Sequence, residues 1–315
     1  MDALVIGAGG FAGTYLIREL QSQGKSVVLA KLPHESIRIG GCEVTDLDIL
    51  NENAVRTLLC SHCPAQIYYL AEQDSVAQSW KDPKDTVDRN IKGLLCLLEA
   101  VRSMEEYYPR ILLVGSAEEY GSVKGVQTPV QEDAPRHPSN PYGVTKACQS
   151  CFGSLYARTY GMGIVMVRAF GQIGVGMSPQ YFPADLTLQI AEMEAGFREP
   201  MVKLANPQAR RDFCDVRDAV RAYVMLMERG RAGEVYNVGS GRSVSMQEVL
   251  EMLTEQSSIP VAVVQEERRL RSADMPAADI TKLREDTGWT AEYPLEESLR
   301  TMLNFNRRNF GLSER

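Results

Sequence analysis

Histidine is scarce in this sequence: three in 315 residues, and His34, His62 and His137 stand in no nucleophile–base pattern. Positive charge is short as well, with 34 Lys+Arg against 41 Asp+Glu and a net charge of −7. That balance argues against nucleic acid and against anionic membrane surfaces as partners, since both attract basic proteins. No stretch reaches the roughly 18 uncharged apolar residues that a membrane helix needs. The start, Met1-Asp2-Ala3-Leu4-Val5-Ile6, lacks the basic region and long apolar run of a signal peptide. Seven cysteines, an odd number at irregular spacing, suit reduced thiols better than a disulfide framework. The expected compartment is the cytoplasm. Two Cys-x-x-Cys pairs, Cys60–Cys63 and Cys148–Cys151, sit far apart on helical patterns, so no metal is expected.

What is present is an ordinary globular composition, 44% apolar and 24% charged. The length suggests about two domains. Short β-branched runs at Ala3–Ile6, Ser26–Leu29, Gln66–Leu70 and Ile111–Gly115 alternate with helical patterns. The helices are expected at Phe11–Gln23, Ile49–Ser61, Val87–Ser103 and Tyr142–Tyr160. This alternation predicts βαβ units: an α/β, Rossmann-type, doubly wound parallel sheet. Gly161–Arg168 reads as a turn into a further buried strand, and Phe170–Pro183, rich in Gly and Pro, as a loop. Beyond it, helices are expected near Ala184–Gly196, Asp215–Arg229, Ser245–Gln256 and Leu295–Asn304, with strands at Met201–Leu204 and Val235–Val238. A dinucleotide-binding domain over 1–169, with 213–244 returning to it, is expected to interleave with a smaller α/β substrate domain over 170–212 and 245–315.

The first strand runs straight into Gly7-Ala8-Gly9-Gly10-Phe11-Ala12-Gly13. A pyrophosphate needs a tight strand-to-helix turn whose backbone it can approach and whose helix N-terminus faces it. Glycine strings alone are weak evidence, but this one follows the first strand, the context that supports dinucleotide binding. At the end of the second strand, Leu29-Ala30-Lys31-Leu32 carries no acid for a ribose 2′-hydroxyl. Lys31 could instead pair with a 2′-phosphate, which favours NADP(H) and leaves NAD(H) as the alternative. Asp46 and Leu47, past a third strand, could cap the adenine.

Tyr142 and Lys146 lie four residues apart on one helix face. An ammonium nearby favours the phenolate, which suits general acid–base work at a carbonyl. Tyr120 and Lys124 share the spacing but fall in a turn, where it does not bring side chains together. Ser139-Asn140-Pro141 before Tyr142 is a sensible helix start, so Tyr142 and Lys146 are preferred. Ser116, directly after the strand Ile111–Gly115, is placed to polarise a keto oxygen.

On these residues the chain resembles the extended short-chain dehydrogenase/reductases that modify nucleotide sugars. The matching motifs are Gly7-x-x-Gly10-Phe11-x-Gly13, Leu70-Ala71-x-Gln73, Asn90 with Gly93, and Gly115-Ser116-Ala117-Glu118-Glu119-Tyr120-Gly121. They continue with Asn140-Pro141-Tyr142-Gly143-x-x-Lys146 and Arg211-Asp212-Phe213-x-Asp215-Val216-Arg217-Asp218. Within that group the chain is most similar to GDP-4-keto-6-deoxy-D-mannose reductases and GDP-mannose 4,6-dehydratases.

The resemblance implies that Ser116, Tyr142 and Lys146 form the catalytic triad. It implies that Gly7, Gly10, Phe11, Gly13, Leu70, Ala71 and Gln73 line the cofactor site, that Lys146 holds the nicotinamide ribose, and that Asn90 supports the active-site helix. Glu118 stands where the similar dehydratases carry the base that moves the sugar C5 proton. The reductases carry a Glu there too, and Ala117 replaces an Asp of the dTDP-sugar dehydratases. Arg211 and Arg271 match arginines that clamp a pyrophosphate, and Asp274 stands where a related Glu binds the nucleoside ribose. Three departures fall at substrate positions: Gly171 for an Asn, Asp274 for that Glu, and Glu72 for a small residue beside Gln73. The implied activity is NAD(P)H-dependent reduction of the C4 keto group of a 4-keto-6-deoxy nucleotide sugar. A 4,6-dehydratase or C4 epimerase is the nearest alternative, and a non-catalytic nucleotide-sugar-binding protein the next. A homodimer through the helices around Val87–Ser103 and Tyr142–Tyr160 is expected.

Overall fold

A computed structural model describes residues 1–35, 37, 39–122, 129–265 and 274–314. Lys124 and Arg271 lie outside the described residues.

The first half builds the expected alternation. Strand β1 (Ala3–Ile6) leads into helix α1 (Phe11–Ser22), followed by β2 (Val27–Lys31) and β3 (Glu43–Asp46). Helix α2 (Glu52–His62) leads to β4 (Gln66–Tyr69), and two short helices, α3 (Val76–Lys81) and α4 (Pro83–Val87), come next. Helix α5 (Gly93–Arg102), β5 (Arg110–Ser116), α6 (Pro141–Tyr160) and β6 (Gly163–Ala169) complete this half. The second half contributes β7 (Gly171–Ile173), α7 (Phe182–Glu194), β8 (Met201–Leu204), β9 (Arg210–Asp215) and α8 (Val216–Arg229). It ends with β10 (Val235–Val238), β11 (Ser243–Ser245), α9 (Met246–Glu255), β12 (Ala262–Gln265), α10 (Thr281–Thr287) and α11 (Leu295–Asn309).

Seven strands form one sheet in the order β10-β6-β5-β4-β1-β2-β3, every pairing parallel. Successive strand residues point to opposite faces, and the sequence fills both. Val5, Leu29, Leu112 and Val165 pack with α1 and α8, while Leu4, Val28, Ile111 and Ile164 pack with α2, α5 and α6. Apolar residues on both faces explain why these strands read as continuous hydrophobic runs. The chain order reverses between β1 and β4, and there a doubly wound sheet opens its ligand crevice at the carboxyl strand ends.

The chain after Ala169 forms a second layer. Strands β11, β9 and β7 make a three-stranded sheet and β12 pairs with β8. Both pack around a separate core of Ile173, Leu186, Ile190, Val202, Leu250 and Leu299. Between these segments the chain returns to the large sheet to place β10 beside β6.

Four expectations shift. The stretch Phe170–Pro183, read as a loop, holds strand β7 at Gly171–Ile173. The stretch 87–103 is not one α-helix: a π-turn at Asp88–Lys92 separates α4 from α5. Helix α2 starts at Glu52 rather than Ile49, because the Asn51 side chain accepts from Ala54 N and caps it. The stretch Arg210–Asp215 contains a strand that its charges conceal. Asp212, the inward residue, is buried by accepting hydrogen bonds from Ser240 N, Ser240 Oγ, Gly241 N and Ala278 N.

Candidate active site

The carboxyl ends of β1, β2, β4 and β5 open into a cleft of about 1320 Å³, closed on its far side by residues of β7, β9 and the start of α7. Its cofactor end is built by the glycine turn. Gly7 has φ +88°, and a Cβ there would lie 2.6 Å from Ala71 N. A Cβ on Gly13 would lie 2.8 Å from the carbonyl oxygens of Gly7 and Ala8. Gly10 caps α1 without a side chain, leaving the first-turn N–H groups facing the cleft beside Phe11. Such a cradle fits a pyrophosphate, which needs close backbone approach and a helix N-terminus. Gly7→Ala should therefore lower NAD(P)H affinity at least tenfold and cost roughly 1–3 kcal/mol of stability. Calorimetric titration and thermal melts check this, and an unchanged affinity would refute the cradle.

Around this turn the other sequence-picked residues separate into two groups. Leu47, Leu70 and Ala71 line the cleft. Lys31 also lines it, but its Nζ pairs with Asp46 Oδ1 at 2.5 Å across the adjoining strands. Glu35, which the sequence reading passed over, accepts from Leu32 N at 3.0 Å and lies against Gly9. Asn90 and Gln73 stand behind the cleft wall. The π-turn aims Asn90 so that Oδ1 accepts from Gln73 N at 2.8 Å while Nδ2 donates to Thr145 Oγ1 of α6 at 2.9 Å. Asn90 thereby ties the loop after β4 to the helix that carries Tyr142.

The opposite end of the cleft forms where β5 and α6 meet. Pro141 occupies the first turn of α6, and Asn140 Oδ1 accepts from Gly143 N at 2.8 Å. These two residues set the helix start and deliver Tyr142 to the end of β5. Tyr142 and Ser116 line the cleft together, and the Ser116 hydroxyl acts to lower the pKa of the Tyr142 phenol. Burial holds this phenol well above its ordinary pKa against that pull, and the Asp74 and Glu118 charges add to the rise. The Tyr142 hydroxyl thus keeps its proton throughout the ordinary pH range. Lys146, one turn on, is fully buried; its Nζ lies 5.7 Å from the Tyr142 ring centroid and donates to the Val114 carbonyl at 2.5 Å.

Glu118 lines the cleft, its Oε2 accepting from Asn140 Nδ2 at 2.7 Å. Arg211 enters from β9 on the opposite wall; burial lowers its pKa, while Glu118 and Asp274 oppose that shift. Asp274 accepts from Arg210 N at 3.2 Å, outside the cleft lining. Gly171 has a physical reason to be glycine: a Cβ there would lie 2.8 Å from the Asp212 carbonyl oxygen on the neighbouring strand. The rival Tyr120 is committed elsewhere, donating to Asn237 Oδ1 at 2.7 Å and accepting from Arg168 Nη1 at 2.8 Å.

Comparison with known proteins agrees with this geometry. The family model described as GDP-mannose 4,6 dehydratase matches residues 4–302. GDP-6-deoxy-D-mannose reductase of Pseudomonas aeruginosa is 30% identical over 302 residues, covering 95% of each chain. The structure of RMD from Pseudomonas aeruginosa complexed with NADPH superposes with a TM-score of 0.87 at 28% identity, covering 98% of this chain and all of that one. UDP-glucose 4-epimerase of Thermotoga maritima, solved with UDP-glucose, gives a TM-score of 0.88 at 27% identity, covering 98% and 99%. A seven-stranded parallel sheet, a glycine cradle sharing one cleft with Ser116 and Tyr142, and Lys146 buried behind them, in a chain matched over nearly its whole length, place it in the GDP-mannose 4,6-dehydratase family of extended short-chain dehydrogenase/reductases.

Proposed function

We propose that the protein reduces the C4 keto group of a 4-keto-6-deoxy nucleotide sugar with NAD(P)H, a reaction of the GDP-4-keto-6-deoxy-D-mannose to GDP-D-rhamnose type. The observation that carries this is the meeting of Ser116 and Tyr142 in one cleft with the glycine cradle, backed by Lys146. The similarity to the Pseudomonas reductase supports it. Gly7, Gly10, Phe11 and Gly13 would hold the cofactor pyrophosphate and Lys146 the nicotinamide ribose; when bound, the cofactor supplies the hydride. Tyr142, neutral at working pH, gives its proton to the C4 oxygen, because a developing alkoxide is a stronger base than a phenolate. Ser116 orients the same oxygen, and the Lys146 charge stabilises the phenolate left behind. Arg211 and Arg271 would bind the substrate pyrophosphate.

NADP(H) is the cofactor we favour, on Lys31 and on the NADPH held by Pseudomonas RMD. The Asp46 carboxylate on Lys31 and the Glu35 carboxylate beside Gly9 weigh toward NAD(H). Following nicotinamide absorbance with GDP-4-keto-6-deoxymannose tests both points, with NADPH and NADH run in parallel. Stoichiometric oxidation, faster with NADPH, is the expected result. No net oxidation would sink the reductase. The second reading, a 4,6-dehydratase or C4 epimerase, has Glu118 in its favour, held beside Tyr142 by Asn140; it predicts turnover without net consumption of NAD(P)H. A homodimer through α5 and α6 is part of the proposal, supported by the exposed Val144, Leu155 and Tyr160 on α6. Among the described residues no helix is long and apolar enough to cross a membrane.

A further inference from the structure

Glu72 follows β4 and lines the cleft between the glycine cradle and the Ser116–Tyr142 pair. Its Oε2 forms an ion pair with Lys146 Nζ. Both side chains are withdrawn from solvent, Lys146 completely and Glu72 to 14% exposure. An ammonium has three N–H donors. The Val114 carbonyl takes one and Glu72 another, which leaves one for a bound ligand.

Two forces act on this ammonium. Burial lowers the Lys146 pKa to about 7, and a carboxylate in contact favours the charged form. The other titratable groups around the pair do not share that task. Tyr142 lies on the same helix, and Asp74, Glu118 and Tyr181 act on its phenol. Burial raises both the Asp74 carboxyl and the Tyr181 phenol, the latter to about 12. Glu119, also near the end of β5, is engaged by Ser150 and Arg168. Among the described residues, Glu72 is the acid in ion-pair contact with Lys146.

We propose that Glu72 is a positioning residue for the hydride-transfer centre: it fixes Lys146 below the cleft and keeps its ammonium charged in a buried place. The inference rests on reading the site as nicotinamide-binding. Through Lys146, Glu72 sets the upper pH at which cofactor binds and Tyr142 is assisted. A small residue at this position would leave Lys146 charge to burial alone.

Glu72→Gln in the full chain keeps the shape and removes the charge. Two quantities decide the matter: NADPH affinity by calorimetry between pH 6 and 9 without any sugar, and kcat over the same range with GDP-4-keto-6-deoxymannose. The alkaline loss of both is expected to move to lower pH by about one unit or more, with wild-type values retained near pH 6. Glu72→Asp, whose shorter side chain still carries the charge, is expected to fall between the two. It also serves as the test variant if Glu72→Gln does not fold. Alkaline limbs that superimpose on those of the wild type would overturn the proposal. If the wild type fails to oxidise NADPH with the sugar, the reductase reading falls, while the sugar-free binding profile still judges Glu72.

Discussion

Tyr142→Phe is expected to lower kcat by about a hundred- to ten-thousand-fold, the range that a positioned proton donor contributes. The substitution removes one oxygen and keeps the ring, so the buried packing under the end of β5 is preserved. Ser116 stays in place, since its Oγ accepts from Glu118 N at 3.2 Å. Lys146 keeps the Val114 carbonyl and Glu72. Cofactor affinity should therefore change little, and the loss should appear in kcat at every pH. No alternative donor is at hand in the neighbouring aromatic: the Tyr120 hydroxyl is buried between Arg168 and Asn237, and its pKa is pushed up to about 12. Single-turnover rates with pre-bound NADPH measure the effect directly. A variant that keeps full turnover removes Tyr142 from the mechanism.

That Tyr142 and not Tyr120 comes to the cleft was legible in sequence, because local chemistry decides it. Asn140 and Pro141 cap and open a helix, and four-residue spacing then brings a phenol and an ammonium onto one face. The buried strands were legible for a similar reason, since both faces of the large sheet are covered and their residues are uniformly apolar. Pairings between distant segments were not. Glu72 and Lys146 are 74 positions apart, and only the right-handed crossovers of the sheet bring the loop after β4 against α6. Strand β9 escaped because Arg210, Arg211 and Asp212 read as surface charge, whereas four donors from two other segments solvate Asp212 inside. The departure at Gly171 looked like a change in substrate contact. It also answers to the Asp212 backbone crowding β7.

The adjacent acids Glu118 and Glu119 show how one register step separates chemistry from architecture. Glu118 faces the cleft, while Glu119 turns inward and is fully buried. Glu119 Oε2 accepts from Arg168 Nε at 3.0 Å and from Ser150 Oγ at 2.8 Å, and Oε1 accepts from Ser116 N at 3.3 Å. Burial raises the Glu119 carboxyl against the pull of Arg168, so this pair is held by geometry and not by cheap solvation. Glu119→Ala would strand the Arg168 guanidinium in the core, a loss of about 3–5 kcal/mol for a broken buried pair. The denaturation midpoint should fall accordingly at constant slope. Turnover should fall too, because the turn that presents Ser116 loses its inner anchor. Glu119→Leu combined with Arg168→Met replaces both charges by apolar groups and should regain much of the stability, since no ion is then left unpaired. Wild-type stability in Glu119→Ala would show that Arg168 finds compensation from Tyr120 and the Glu132 carbonyl, its remaining partners at 2.8 and 2.7 Å. Failure of the double variant to recover would place the cost in lost packing around Ser150 rather than in the isolated charge.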